Sequence, residues 1–91
     1  MTLHILSQPP SHNAYQSCLQ HLTPQDTLIL INDGVYALQD PLFSTTCRSQ
    51  QVFAIAADTQ ARGITTKHQQ AIDYDAFVAL SCQHSPIQSW Y

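Results

Sequence analysis

A short run of aliphatic residues, Leu28-Ile29-Leu30-Ile31, halts abruptly at Asn32-Asp33-Gly34. An uninterrupted apolar run of this length reads as a strand buried on both faces, the kind found inside a parallel sheet. The polar triplet then has to turn the chain. In an open α/β sheet, ligands and partners dock just beyond the carboxyl ends of strands, which singles out Asp33 and Gly34. The same residues permit another outcome. An Asp-Gly pair between apolar runs is also a hairpin signal, with Val35 to Leu38 as the returning strand.

The rest of the chain bears on that choice. Leu3 to Leu6 reads as a first short strand, stopped by Ser7-Gln8-Pro9-Pro10 because neither proline can donate a ladder hydrogen bond. A helix is expected from Ser11 or Asn13, either of which can cap it, with Tyr15, Cys18, Leu19 and Leu22 on one apolar face. Thr23-Pro24 closes it. After the strand Thr27–Ile31, the segment Val35 to Thr46 is expected to hold a short helix and an irregular piece, broken at Pro41. Gln51 to Ala57 reads as a central third strand. Asp58 or Thr59 is placed to cap a brief helix ending at Gly63, which suits the left-handed position after a helix. Ile64 to Gln69 reads as polar loop and Ala71 to Tyr74 as a short strand near an edge. A last helix, capped by Asp73 or Asp75, carries Tyr74, Phe77, Val78 and Ser81 down one side and ends by Pro86. Strand and helix alternate four times. That is the pattern of a parallel sheet with helices on both faces, and it favours turn-to-helix over hairpin at Asp33-Gly34. The expected fold is a small three-layer αβα sandwich with a mainly parallel sheet of four or five strands, in one domain spanning residues 1–91.

A sheet this small has open edges and thin helical cover, which association with other chains would remedy. The composition agrees. Only 10% of the 91 residues are charged, well below the ~25% of ordinary soluble domains. A weakly charged surface is easy to desolvate against another subunit. The net charge is −3 and the basic side chains are Arg48, Arg62 and Lys67. So few cations make this chain alone a poor direct binder of nucleic acid, because phosphate recognition draws on several Lys or Arg contacts. No stretch reaches the ~20 apolar residues of a membrane span, and the segment MTLHIL lacks the features of a signal peptide. Cys18, Cys47 and Cys82 are scattered, without a C-x-x-C pair, which fits a reducing cytoplasm. The tail ends on Trp90-Tyr91, and this apolar area can fold back on its own sheet or meet another subunit.

Chemistry is sparse. Among five histidines and three cysteines, only Cys18 and His21 fall close together, three apart on one helix. Two ligands do not make a structural zinc site, so no metal is expected, nor any cofactor. An imidazole beside Cys18 could activate its thiolate. A cysteine in the stripe of Tyr15, Leu19 and Leu22 is more often a small buried hydrophobe. Cys47 lies in a polar stretch beside Arg48, and Cys82 on the last helix. There is no Gly-rich phosphate loop and no G-x-S-x-G. Asp33 could act as an acid, but an Asp before Gly commonly serves the turn itself.

Read in order, several pieces resemble the DsrH/TusB family of sulfur-relay subunits. They are Leu3-His4 with Ser7 and Pro9, then Asp33-Gly34-Val35-Tyr36-Ala37, then Asp58 and Ala61-Arg62-Gly63. Asp73-Tyr74 with Phe77-Val78, His84 and Gln88-Ser89-Trp90 complete the series. The resemblance implies a DsrE-like αβα sandwich and a hetero-hexamer with DsrE/TusD-like and DsrF/TusC-like subunits. In the TusB branch such a complex relays persulfide sulfur toward 2-thiolation of the tRNA wobble uridine; in the DsrH branch it serves oxidative sulfur metabolism. The main sulfur-carrying cysteine resembles one on the DsrE/TusD-like partner, which leaves this chain an accessory part, with sulfur-carrier proteins as transient partners. Cys18 matches an accessory sulfur position of some DsrH-branch members. The expected subunit contact comprises Asp33, Gly34, Tyr36 and Trp90.

Overall fold

The structure is a computed structural model that describes residues 2–41, 43, 51–65, 70–83 and 86–90. Five strands form one sheet: β1 Leu3–Leu6, β2 Thr27–Leu30, β3 Gln51–Ile55, β4 Ala71–Ile72 and β5 Ile87–Trp90. Their order across the sheet is β4-β3-β2-β1-β5, and every pairing is parallel. The helices are α1 Asn13–His21, α2 Ala56–Ala61 and α3 Tyr74–Gln83, with a 3₁₀ helix over Asn32–Gln39 between β2 and β3.

The register sorts the strand side chains. His4, Leu28 and Val52 stand side by side, as do Leu6, Leu30 and Ala54. Alternation puts these on one face. There they join Tyr15 and Cys18 of α1, Val35 and Ala37 of the 3₁₀ helix, Phe43 and Ile64 in the main core. Leu3, Thr27, Ile29 and Ile55 point the other way and are equally buried. The layers follow from strand order. From β1 to β4 each step moves in one direction, so right-handed crossovers stack their connections on one face. The step from β4 to β5 returns across the whole sheet, and the same rule places α3 on the opposite face. The result is the expected α/β sandwich, with a fifth strand formed by the tail: it folds back on its own sheet, as one of the two readings of Trp90 had it.

Several boundaries differ from the sequence reading. His12, not Ser11 or Asn13, caps α1: its Nδ1 accepts the Ala14 N–H at 3.0 Å. β3 stops at Ile55 and α2 starts at once, so Asp58 and Thr59 lie inside that helix instead of capping it. Asp58 turns back to accept the Asn32 N–H at 2.9 Å. β4 is only Ala71–Ile72, because Asp73 caps α3 by accepting the Ala76 N–H at 2.8 Å. Ile64, expected in a polar loop, is buried in the core. The face expected along α3 divides: Phe77 and Ser81 are half-buried, while Tyr74 and Val78 are exposed. The irregular piece expected up to Thr46 lies, from Ser44 onward, outside the described residues. Gly63 holds the left-handed position, φ 65°, foreseen for it.

Candidate functional site

The ground beyond β2 is built from three elements. Ile31 continues the β1–β2 ladder, its N–H donating to Leu6 O at 3.0 Å. The next residue, Asn32, takes the left-handed conformation with φ 49°; the Asp58 carboxylate holds its N–H. Gly34, for which the turn was the obvious reason, is not left-handed. Its role is steric: a Cβ there would overlap the Leu6 carbonyl, coming within 2.9 Å of its carbon. Asp33 faces solvent, and its Oδ1 accepts from Arg62 Nε at 3.0 Å. Arg62 also donates to Asp58 O at 3.2 Å. Tyr36 is exposed on the 3₁₀ helix. Asp33, Gly34 and Tyr36 therefore share the carboxyl edge of the sheet, with Gly34 buried as the pivot. Trp90 is not part of this group.

Trp90 belongs to a second constellation, on the β1–β5 side. Its indole N–H donates to His4 Nδ1 at 3.0 Å, and His4 Nε2 lies 2.9 Å from Asp26 Oδ2. An indole N–H can only donate, so Nδ1 is a bare acceptor and the ring proton sits on Nε2, aimed at Asp26. The imidazole is thus neutral and the carboxylate keeps its charge. Asp26 also accepts the Thr2 N–H at 2.9 Å and the Thr23 N–H at 3.0 Å. Burial pushes its pKa up, but the Thr23 and Thr2 amides and His4 favour the anion and outweigh burial, so it lies well below the ordinary 3.8. Trp90 also stacks near His4, centroids 6.2 Å apart, and meets His21 at 5.2 Å. A pocket of about 570 Å³ opens here, bordered by His4, His21, Asp26, Ile87, Gln88 and Trp90.

Asp26 did not stand out in the sequence, and His4 did so only as part of the family resemblance, not as a site residue. The available signal was a histidine inside the otherwise apolar Leu3–Leu6, since a buried polar side chain requires a partner. That partner is 22 residues away in sequence, which no local spacing shows.

The cysteines are placed less favourably for chemistry. Cys18 is fully buried in the main core that Leu6 and Leu28 share. His21, three residues on, is exposed, and its Nδ1 lies 2.7 Å from the Ser17 carbonyl. Cys82 is exposed on α3. Cys47 lies outside the described residues. No helix among those residues is long and apolar enough to cross a membrane.

Fold and site together define a small all-parallel α/β domain with a buried cysteine, a polar cluster at one strand end and a tail strand latched through a His–Asp pair. The solution NMR structure of protein Tm0979 from Thermotoga maritima has the same fold, with a TM-score of 0.63 over 92% of this chain and 94% of that one, at 24% identity. The family model described as DsrH like protein matches residues 8–87, and the chain belongs to that family. Protein TusB of Pectobacterium parmentieri is 31% identical over 94 aligned positions, covering 97% of this chain and 99% of the relative. Protein TusB of Escherichia coli O81 is 34% identical over the same span.

Proposed function

We propose that this chain is an accessory subunit of a hetero-oligomeric sulfur-relay complex that passes persulfide sulfur toward 2-thiolation of the tRNA wobble uridine. The observation that carries the reading is the match, over nearly the full length, to proteins named TusB. The accessory role draws support from Cys18. A persulfide carrier's thiolate has to reach the outer sulfur of the donor persulfide and displace the donor thiolate, and here the Cys18 sulfur exposes no surface. The carrier cysteine then belongs to a DsrE/TusD-like partner, and a DsrF/TusC-like subunit completes the complex. The chain's low charge fits the same role, since it leaves tRNA phosphates to other subunits.

The test is the native mass of the chain expressed alone and with those two neighbours, followed by sulfur transfer with a Cys18→Ser chain in the complex. A defined three-subunit assembly that transfers sulfur undiminished with Cys18→Ser is the expected result. A stable assembly of this chain alone, unaltered by the neighbours, would overturn the subunit reading. Loss of transfer with Cys18→Ser in an intact assembly would overturn the accessory role.

A further inference from the structure

The pocket beside Trp90 has a one-sided chemistry. Among the described residues, the side chains bordering it include one carboxylate, Asp26, and neither Lys nor Arg. Arg62, the single Lys or Arg among the described residues, is engaged with Asp33 and Asp58 at the carboxyl edge. His4 does not neutralise Asp26, because the Trp90 N–H on Nδ1 holds the imidazole uncharged. The Thr2 and Thr23 amides are neutral donors too, so the charge stays on the buried Asp26 that borders the pocket, where burial strengthens its field. The other polar features also favour a donor. In the neutral tautomer that donates Nδ1–H to the Ser17 carbonyl, Nε2 of His21 is an acceptor. The Trp90 indole borders the same space, and aromatic rings attract cations. Of the common cations, a guanidinium is planar, weakly hydrated and suited to lie against an indole.

We infer that this pocket receives an arginine side chain of a partner subunit. The identity of the donor rests on the subunit reading above, whereas the recognition chemistry stands on the pocket itself. Arginine would enter beside β5, an edge strand that pairs only with β1 among the described residues. A seated guanidinium would offset the Asp26 charge.

Trp90 is the sole tryptophan, so its fluorescence reports on this site directly. The full chain is titrated with N-acetylarginine amide and, separately, with N-acetylcitrulline amide, which matches it in shape without the charge. A saturable change with the arginine probe, and none or one at least about tenfold weaker with citrulline, is expected. Gln88→Lys puts an ammonium at the exposed rim without touching the Trp90–His4–Asp26 contacts. It should weaken arginine binding about tenfold while leaving the fold intact by circular dichroism. In the three-subunit assembly the pocket is filled, so the arginine probe should no longer alter the Trp90 signal. Equal responses to the two probes, unchanged affinity in Gln88→Lys, or full probe binding within the assembly would each overturn the inference. Failure of the assembly itself appears in native mass, apart from the titration of the isolated chain, and it alone bears on the subunit reading.

Discussion

Two glycines occupy superficially similar turns, and different forces hold them. Gly34 is fixed by contact with the Leu6 carbonyl, while at Gly63 there is open space but a left-handed backbone. Gly34→Ala should therefore cost about 1–3 kcal/mol, as overpacking does against backbone that cannot yield. Gly63→Ala should cost about 1 kcal/mol, the penalty for a side chain in the left-handed region. Chemical denaturation of the two variants checks the order. Asp26 makes a prediction about pH. Its pKa is lowered by folding, so its contribution to stability is complete above the ordinary 3.8 and is lost as pH falls below that value. Asp26→Asn should lower stability at pH 7 and flatten its pH dependence below about pH 4, read from melting curves across that range.

At the level of elements, β5 is an edge strand held by its ladder with β1 and by the Trp90–His4–Asp26 relay. Leu3 N–H donates to Pro86 O at 3.1 Å and Ser7 N–H to Trp90 O at 3.3 Å, tying the strand ends to β1. Ile87 and Gln88 themselves are exposed, so apolar burial adds little there beyond Trp90. Trp90→Phe keeps a ring against His4 but removes the indole donor, leaving a buried acceptor without its partner. It should cost about 1–3 kcal/mol. The same change should speed hydrogen exchange at the Leu3 and Ser7 amides before that of the β2–β3 ladder, because an edge strand opens locally. Uniform acceleration across the sheet would show that β5 does not open as its own unit. Helix α3 differs from α1 in a related way. It has no buried residue, and Tyr74 and Val78 are 54% and 58% exposed. One face of the sheet thus carries the packed core, and the other has a thin layer.

For the whole molecule, an all-parallel sheet whose two edges are unpaired among the described residues, with few charges, is suited to cover by another chain. The carboxyl-edge group tests this. The Asp33–Arg62 pair is solvent-exposed, so removing it costs the fold about 0–1 kcal/mol. Asp33→Ala should accordingly leave the melting temperature of the isolated chain nearly unchanged while weakening assembly with the neighbouring subunits. Size-exclusion profiles and melting curves of the same preparations compare the two effects. Parallel losses would assign Asp33 to the fold alone.

Much of this architecture is written locally. The unbroken Leu28–Ile31 run marked a buried strand, Thr23-Pro24 ended α1, and Gly63 marked its left-handed site, because each depends on neighbours in the chain. Local chemistry also misled where two remedies were available. His12 displaced Ser11 and Asn13 as cap, and Gly34 answered to a carbonyl on another strand instead of to its own φ. What the sequence by itself determined was the alternation of strands and helices, and with it the parallel α/β class, since periodicity and turn chemistry act over a few residues. Only the tertiary structure decided that the tail becomes a fifth strand and that His4, Asp26 and Trp90 meet. Those contacts span 22 and 86 residues of sequence. They exist because strand order brings β5 beside β1, and because a buried histidine takes whatever donor and acceptor the fold delivers to it.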